Sequence, residues 1–397
     1  MDADMRGGAG ALPPLVAQGP ELSPADISRF ARHLPLPQVG VTGQRRLRNA
    51  RVLVIGAGGL GSPVLQYLAA AGVGTLTVID ADTVEDSNLQ RQVIHSTPAI
   101  GTPKVDSAAA RLAETAPGTR VNALRERITA ANAVDLFNGH DLVVDGADNF
   151  ATRYVCNDAA ELTGTPLVWG TLFQFSGQVS TFWPGRGPML RDLFPDVPEA
   201  DSVPSCALGG VFGALCGWVG SLMATEAIKL ICGIGDPLLG RLARVDALGS
   251  RMSELRFEAD PDRPPVTAIE TFADVCAPDP VTEVDPAQLG SAQLNQAGPV
   301  TLVDVREDWE REVIAHPSAH AVPLGEIEAR GWEALDGVLA QSTGPGTLVF
   351  MCKTGVRSAT AARLLAAEAT PVAHPAVASL RGGILAWAEH VHNPIQY

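Results

Sequence analysis

The sequence lacks the paired cysteines that hold zinc ions or build disulfide frameworks. Its six cysteines show no C-x-x-C spacing; they are Cys156, Cys206, Cys216, Cys232, Cys276 and Cys352. The N-terminal segment also lacks a basic region followed by an apolar core, which a secretory signal requires. These two absences together predict a reduced, cytoplasmic compartment.

Positive charge is scarce as well. The formal net charge is −15, which argues against a nucleic-acid partner and against an acidic membrane surface. Any phosphate site must therefore be a local cluster of basic residues in an acidic molecule. Hydrophobic residues make up 46% of the chain and charged residues 18%, a balance that is typical of a folded globular protein.

One long segment, residues 206–225, contains no charged side chain. A membrane span is one interpretation of such a segment. Its five glycines and its continuation through Glu226 and Lys229 instead favour a buried helix, in a position suited to a dimer interface. We therefore expect no membrane-spanning segment.

The length of the chain predicts two or three domains. Apolar, strand-like runs alternate with helix-like stretches over residues 51–169, which predicts a mostly parallel, doubly wound α/β sheet. A proline-rich stretch without a clear period, residues 259–280, is predicted to be a linker. We therefore expect a flexible segment over residues 1–22, a first domain over 23–258 and a smaller α/β domain over 281–397.

The first candidate site is a glycine-rich loop at residues 56–61, which reads G-A-G-G-L-G between a predicted strand and a predicted helix. Glycines allow backbone N–H groups to approach a phosphate, and the helix N-terminus adds a favourable field. Asp82 follows the second strand, where a carboxylate can bind ribose hydroxyls. These features alone describe a nicotinamide- or flavin-binding enzyme equally well.

The residues that follow favour a triphosphate. Arg91 and Lys104 add two cations after the ribose carboxylate, which a diphosphate held by a helix N-terminus does not require. Asp148, in the sequence D-G-A-D-N that ends another strand, supplies an acidic end suited to Mg²⁺. Solvated surface charge is the competing interpretation of Arg91 and Lys104, and their grouping favours a functional one.

Taken together and in this order, the motifs resemble the ThiF/MoeB family of ubiquitin-activating-enzyme-like adenylyltransferases over residues 23–257. They are R-F-A-R-H at 29–33, the glycine loop, D-A-D at 80–82, S-N-L-Q-R-Q at 87–92, Lys104 and D-G-A-D-N at 145–149. The resemblance implies a Rossmann-like domain in which Gly59 and Asp82 hold ATP. It also implies a pocket lined by Ser87, Asn88, Leu89, Gln90 and Arg91.

The family resemblance implies further roles at the reacting centre. Arg91 and Lys104 would stabilise charge on the phosphates, and Asp148, with Asn149 beside it, would organise Mg²⁺. The substrate would be the C-terminal Gly-Gly carboxylate of a small ubiquitin-like sulfur carrier, which is converted to an acyl-adenylate. That step needs positioning and charge neutralisation rather than a side-chain nucleophile.

Two more residues acquire candidate roles from the resemblance. Arg32 resembles the family arginine that reaches into the site of the partner subunit, which implies a homodimer; a helix-surface arginine is the alternative. Cys206 occupies the segment in which some members carry a functional cysteine, and an ordinary buried cysteine is the alternative there.

Many relatives hold a structural zinc ion with two C-x-x-C pairs. In this chain the corresponding positions read M-L-R-D at residues 189–192 and D-P-D-R-P-P-V at residues 260–266. Neither segment supplies a thiolate, so we expect structural zinc to be absent and packing to replace its contribution to stability.

The second candidate site surrounds Cys352, between an apolar strand and a helix. Backbone N–H groups and the helix N-terminus favour a thiolate there, and Lys353 and Arg357 add positive charge. The loop has the form C-x-x-x-x-R, one residue shorter than a cysteine phosphatase loop, which suits a sulfane sulfur better than a phosphate. With L-V-D-V-R-E at 302–307 and L-R-G-G-I-L-A-W at 380–387, it resembles the rhodanese family over residues 280–397. That resemblance implies a persulfide loop of Cys352, Lys353, Thr354, Gly355, Val356 and Arg357.

Both resemblances together match the MoeZ-type group of adenylyltransferase/sulfurtransferases. They imply ATP-dependent activation of a sulfur carrier, then sulfur transfer from a Cys352 persulfide that is received from thiosulfate or a cysteine desulfurase. Carriers of the molybdopterin, thiamin, cysteine and thio-metabolite pathways are not distinguished. Two other classes stay open: a dinucleotide-dependent oxidoreductase fused to a sulfur-handling module, and a non-catalytic scaffold that binds a ubiquitin-like protein.

Overall fold

The computed structural model describes residues 12–195, 210–269, 281–289, 299–341, 346–368 and 374–390. The chain divides into two compact units, Met1–Asp274 and Val275–Tyr397. Each unit has its own sheet and its own hydrophobic core clusters, and each is described by itself.

The first unit is built on an eight-stranded sheet. Its strands are β1 Arg51–Ile55, β2 Thr75–Ile79, β3 Arg120–Leu124, β4 Leu142–Asp145, β5 Leu167–Phe173, β6 Ser176–Phe182, β7 Arg241–Asp246 and β8 Arg251–Arg256. They are ordered β3-β2-β1-β4-β5-β6-β7-β8. The first five are parallel to one another, and β6, β7 and β8 add an antiparallel extension.

Helices connect these strands and cover both faces of the parallel part. They are α1 Pro24–Arg29, α2 Gly40–Asn49, α3 Gly61–Ala70, α4 Lys104–Thr115, α5 Ala133–Asn138, α6 Phe150–Thr163, α7 Leu190–Leu193 and α8 Gly213–Cys232. Alternate residues of β1 enter different cores: Val52 and Val54 pack on one face of the sheet, and Leu53 and Ile55 on the other. A strand that is buried on both faces needs a continuous apolar run, as the sequence of β1 provides.

The predicted doubly wound, mostly parallel sheet is confirmed for β1 to β5. The antiparallel extension was not expected as strands from the sequence. All six residues of β8 are exposed, so this strand carries none of the apolar signal that marks a buried one.

The apolar segment predicted as a buried helix is α8, which begins at Gly213 and ends at Cys232; residues 206–209 lie outside the described part. By length and composition alone it could cross a membrane, but 61% of its most apolar window is buried inside the unit. Glu226 is paired within the protein, since its Oε2 accepts from the backbone N–H of Leu238 at 2.7 Å. The helix therefore belongs to the protein core.

The segment predicted as a linker is described up to residue 269 and contains neither helix nor strand from residue 259 to that point. Arg263 nevertheless ties it to the first unit. Its guanidinium donates to Asp192 through Nε at 2.7 Å and to Glu161 through Nη2 at 3.1 Å.

The second unit is a smaller, parallel α/β structure. Its strands are β9 Glu283–Val284, β10 Val300–Asp304, β11 His320–Ala321, β12 Thr347–Met351 and β13 Ala376–Leu380, in the order β11-β10-β12-β13-β9. Its helices are α9 Asp308–Val313, α10 Leu324–Arg330, α11 Asp336–Leu339, α12 Val356–Ala367 and α13 Gly383–His390. All five residues of β12 are buried, which places the end of this central strand firmly in the core.

Candidate active sites

The glycine loop, residues 56–61, connects β1 to α3 and folds too tightly to contain side chains at its ends. Gly56 has a φ of +87°, and a Cβ built on Gly61 would lie 1.9 Å from the carbonyl oxygen of Gly56. A Cβ on Gly59 would lie 2.8 Å from Sγ of Cys216. The loop leads into the first turn of α3, where helical N–H groups lack carbonyl partners in the helix and suit a phosphate.

The backbone of Ala57, the second residue of the loop, is held from two sides. Its N–H donates to Oδ2 of Asp80 at 2.9 Å, and its carbonyl lies 2.9 Å from Nε2 of His95. Burial lowers the pKa of His95, so its imidazole is neutral at neutral pH. Because the carbonyl can only accept, Nε2 carries the proton, and Nδ1 accepts from the hydroxyl of Ser107 at 2.9 Å.

Asp80 and His95 are therefore positioning residues for the nucleotide loop. The sequence pattern assigns neither of them a role of its own, although Asp80 stands in the D-A-D motif. A hydrogen bond to a backbone group depends on where two loops meet, and it leaves no spacing signal in the sequence.

Asp82 and Lys104, both predicted to contact ATP, are bonded to each other. Nζ of Lys104 donates to Oδ2 of Asp82 at 2.9 Å, and Oδ1 of Asp80 accepts from the N–H of Asp82 at 2.8 Å. The side chain of Lys104 is 9% exposed, whereas that of Asp82 is 57% exposed. Solvated surface charge therefore does not describe Lys104.

Arg91 lies beside the glycine loop. Its Nη1 donates to the carbonyl of Ser87 at 3.1 Å, and its Cγ is 3.6 Å from the position of a Cβ on Gly59. The turn that contains it begins with a short 3-10 helix, Asp86–Asn88. The five predicted pocket residues differ in exposure: Asn88 is buried, Leu89 and Arg91 are half-buried, and Ser87 and Gln90 are exposed.

The D-G-A-D-N segment has a buried part and an exposed part. Asp145 ends β4 fully buried, and its Oδ1 accepts from the N–H of Ala147 at 2.9 Å. Burial raises the pKa of Asp145 to about 6. Asp148 is exposed, and Asn149 caps α6 by accepting from the N–H of Thr152 at 2.9 Å. Asp148 is thus the carboxylate of this segment that is accessible to a metal ion.

These loops follow parallel strands, so they meet at one edge of the sheet. A Cβ on Gly56 would lie 3.3 Å from the carbonyl oxygen of Gly146, which shows that the loop after β4 adjoins the glycine loop. The edge therefore combines helix N–H groups, the cations Arg91 and Lys104 and the exposed carboxylates of Asp82 and Asp148. This combination fits a nucleoside triphosphate with a divalent cation.

Ion pairs occupy the two segments for which the family resemblance raised the question of zinc ligands, residues 189–192 and 260–266. Asp192, from the first segment, accepts from Nε of Arg263, from the second, at 2.7 Å. Arg191 binds Asp158 through Nε at 2.7 Å and Nη2 at 2.8 Å. Among the described residues, no three histidine, cysteine or acidic side chains form a group that could hold a metal ion. The absence of structural zinc stays a prediction, and these pairs are the contacts that would replace it.

The resemblance also singles out Cys206 and Arg32. Cys206 lies outside the described residues. Arg32 is exposed in the turn after α1, consistent with either a surface arginine or one that serves a second subunit.

The sulfur of Cys352 is buried in the loop between β12 and α12. The N–H of Gly355 donates to Sγ at 3.1 Å, and the hydroxyl of Ser358 donates to it at 3.5 Å. Gly355 has a φ of +100° and directly precedes α12, so the twelve-residue helix starts at the sulfur. The positive end of a helix stabilises negative charge on a thiolate or on a bound sulfane sulfur.

The remaining loop residues differ in their surroundings. Thr354 and Val356 are exposed, and Lys353 is half-buried. Arg357 is paired with Glu310, with Nη1 to Oε2 at 2.6 Å and Nη2 to Oε1 at 2.5 Å. The expected positive charge of Arg357 is therefore compensated by a carboxylate that the sequence pattern does not reveal.

A glycine loop at the carboxyl edge of a doubly wound sheet, followed by a cysteine loop in a second α/β unit, defines an adenylyltransferase-type domain joined to a sulfurtransferase-type domain. The model of the ThiF family matches residues 30–265, and that of the rhodanese-like domain matches residues 287–390. The chain belongs to the ThiF family and carries a C-terminal rhodanese-like domain.

Similar proteins agree with this assignment. The chain is 45% identical to the probable adenylyltransferase/sulfurtransferase MoeZ of Mycobacterium tuberculosis, over 96% of this chain and 97% of that protein. It is 50% identical to the sulfur carrier protein adenylyltransferase of Thermus thermophilus, over 60% of this chain and 90% of that protein. These relatives favour an adenylyltransferase/sulfurtransferase over a dinucleotide-dependent oxidoreductase.

Solved structures support the fold of the first unit. The crystal structure of E. coli MccB with MccA-N7isoASN matches with a TM-score of 0.54 and 21% identity, over 59% of this chain and 73% of that chain. At this identity the likeness concerns the fold alone.

Replacing His95 with alanine should weaken ATP binding, because the change removes the donor to the carbonyl of Ala57. A buried hydrogen bond of this kind contributes on the order of 1 kcal/mol, so we expect the Kd for ATP to rise about five- to tenfold in calorimetry. His140→Ala is the matched control, since His140 bonds a backbone carbonyl and a threonine hydroxyl near the other end of β4. An equal rise in both variants would contradict the positioning role.

The buried Asp145 should make stability depend on pH. Its folded pKa lies above its usual value, so the folded state favours the protonated form and the wild type loses stability as the pH rises from about 4 to about 6. Above that pH range, the free energy of unfolding is lower by about 3 kcal/mol in total. We expect the free energy of unfolding of the wild type, relative to Asp145→Asn, to fall by about this amount between pH 4 and pH 7 in urea titrations.

Asp135→Asn, an equal charge change at an exposed position of α5, is the control for this measurement. If the free energies of unfolding of the wild type and of Asp145→Asn differ by the same amount at every pH, Asp145 is not held in a desolvated site.

Proposed function

We propose that this protein adenylylates the C-terminal Gly-Gly carboxylate of a ubiquitin-like sulfur carrier with ATP and then converts it to a thiocarboxylate with sulfur from Cys352. The observation that carries the proposal is the presence, in one chain, of a tight glycine loop beside a buried lysine and of a cysteine sulfur held at a helix N-terminus. The first suits phosphates and the second suits a sulfane sulfur.

In the first step, a carboxylate oxygen of the carrier attacks the α-phosphorus of ATP, the bond to the bridging oxygen breaks, and pyrophosphate leaves. Gly59 and the first turn of α3 would hold phosphates, and Asp82 would bind the ribose. Arg91 and Lys104 would neutralise the charge that develops on the phosphates. Mg²⁺, held by Asp148 and phosphate oxygens, would supply further neutralisation when bound. We expect the chain to need no structural zinc.

In the second step, the outer sulfur of a Cys352 persulfide attacks the acyl carbon of the adenylate, and AMP leaves with the electron pair of the broken bond. The carrier is then joined to Cys352 through an acyl disulfide. A second thiol attacks the sulfur of Cys352, which releases the carrier thiocarboxylate and leaves a protein disulfide for a cellular dithiol to reduce. Cys206 is the candidate for this second thiol.

The proposal includes three partners: the carrier, a persulfide donor and a second copy of the chain. Exposed aromatic side chains on two helices that pack together, Tyr67 of α3 and Trp218 of α8, support a homodimer interface. Arg32 would serve the site of the partner subunit. The need for free thiols supports a cytoplasmic location, and the acidic net charge gives no support for a nucleic-acid partner.

Mutation of Cys352 should abolish the second step, sulfur transfer, without affecting the first step, adenylylation. The variant Cys352→Ala should retain carrier-dependent ATP–pyrophosphate exchange within about twofold of the wild type, because no step of adenylylation uses the thiol. It should form no thiocarboxylate, as measured by the intact mass of the carrier after incubation with ATP and a sulfur donor.

Cys232→Ala, at a buried cysteine of α8, is the control and should retain both reactions. ATP–pyrophosphate exchange in the absence of a carrier would contradict adenylylation of a protein carboxylate. The lack of exchange in the presence of a carrier would contradict it as well. Thiocarboxylate formation by Cys352→Ala would contradict the sulfur role of the second unit.

The proposed role of Arg32 can be tested by mixing subunits. Arg32→Ala and Lys104→Ala should each lack exchange activity alone. After subunit exchange, half of the dimers are mixed and each has one intact site, so about a quarter of the wild-type activity should return. Lys104→Ala mixed with Asp82→Ala is the control and should show no recovery, since both changes affect the same subunit's site. Light scattering should confirm that the first mixture contains dimers. If such a mixture recovers no exchange activity, Arg32 does not act between subunits.

A further inference from the structure

The arginine of the cysteine loop is already occupied by a carboxylate. Arg357 donates both of its terminal nitrogens to Glu310, at 2.5 and 2.6 Å, in a bidentate pair. The side chain of Glu310 is 5% exposed and that of Arg357 is 20% exposed, so water screens the pair only weakly. A bidentate pair also fixes the plane of the guanidinium, which restricts how Arg357 can meet an incoming anion.

Glu310 is itself held by a second, fully buried ion pair. Arg306 binds Asp304 through Nη2 at 2.7 Å and donates through the same nitrogen to the carbonyl of Ile314 at 2.7 Å. Its Nη1 donates to the carbonyl of Glu310 at 3.4 Å. Arg306 therefore ties the main chain of α9, at its middle and at its end, to β10, so the backbone of Glu310 is held by contacts that do not involve Arg357.

The charges in this cluster compensate one another. Burial alone would raise the pKa of Glu310. The hydrogen bonds and the charge of Arg357, with smaller effects of the Glu307 N–H and of Arg306, together outweigh burial, so the pKa lies below its usual value. Glu310 is therefore ionised at neutral pH. The hydrogen bonds to Glu310 likewise raise the pKa of Arg357. The pair contributes no net charge to the rim of the loop.

We propose that Glu310 determines which sulfur donor the loop accepts: by holding Arg357, it disfavours a small dianion such as thiosulfate and favours a protein-borne persulfide. This inference rests on the proposed role of Cys352 as the persulfide carrier. A dianion must approach the Cys352 thiolate with two negative charges, and it finds the charge of Arg357 compensated. A persulfide on a protein thiol carries at most one negative charge on its outer sulfur.

The chemistry of loading is the same for both donors. The thiolate of Cys352 attacks the outer sulfur of R–S–SH, a new S–S bond forms to Cys352, and the old S–S bond breaks. The thiolate R–S⁻ leaves with the electron pair, and the proton stays on the transferred sulfur or passes to solvent. With thiosulfate the leaving group is sulfite. Glu310 touches neither reacting atom, so it is a positioning residue.

The test compares two donors, thiosulfate and cysteine persulfide, in sulfur transfer to cyanide by the full chain. Glu310→Gln should lower the KM for thiosulfate about tenfold, because it releases the charge of Arg357. The KM for cysteine persulfide should change less than about twofold. The gain for thiosulfate should shrink as salt concentration rises, which a purely structural effect would not do.

Two further variants isolate the charge of Glu310. Glu312→Gln, the same change at an exposed position of α9, should leave both KM values unaltered. Arg357→Gln removes the cation that compensates the charge of Glu310, so its KM for thiosulfate should be about tenfold higher than that of the double variant Glu310→Gln/Arg357→Gln. In this second comparison Arg357 is absent from both variants, so no arginine loses its carboxylate partner. The comparison therefore stays informative if Glu310→Gln alone does not fold.

The inference fails if removal of the Glu310 charge leaves the KM for thiosulfate unchanged in both comparisons. It also fails if the KM for thiosulfate and the KM for cysteine persulfide change by the same factor. A wild-type protein that transfers sulfur from neither donor, and equals Cys352→Ala in this assay, would instead contradict the proposed function of the second unit.

Discussion

Both candidate sites depend on one constraint: a glycine at the turn where a buried parallel strand passes into a helix. At Gly61 there is no room for a Cβ against the carbonyl of Gly56, and at Gly355 the backbone adopts a φ of +100°. Each turn brings the first N–H groups of a helix to the place where the strand ends. The proposed anion differs, a phosphate at α3 and a sulfur at α12, but the physical basis of its stabilisation would be the same.

The surroundings of these turns set what each site can do. Next to α3, the carboxylate that pairs with Lys104 is the exposed Asp82, so water screens part of this pairing, and Arg91 adds a second cation whose Nη1 donates to a neutral carbonyl. Next to α12, Arg357 is paired with the buried Glu310, which compensates its charge. The first site is thus suited to a highly charged substrate, and the second to a sulfur atom with little charge.

Much of the fold and of the two sites could be predicted from the sequence, because these features are encoded in runs of consecutive residues. The apolar runs of β1 and β12 and the turns that follow them identify both loops, and the order of Asp82, Arg91 and Lys104 favours a triphosphate. The exposed strand β8, the hydrogen bond from His95 to Ala57 and the pair between Glu310 and Arg357 have no such signal. They depend on which segments meet in the folded chain, and that is set by tertiary packing rather than by local pattern.

The central claim is that sulfur carried by Cys352 reaches the carboxylate activated at the glycine loop. The most direct measurement loads the protein with a ³⁵S-labelled persulfide, removes the donor and follows the label in a single turnover with carrier. We predict that the label moves to the carrier C-terminus only when ATP is present, with the mass gain of one oxygen replaced by sulfur. Label that stays on Cys352 while the carrier becomes a thiocarboxylate, or that moves without ATP, would contradict the account.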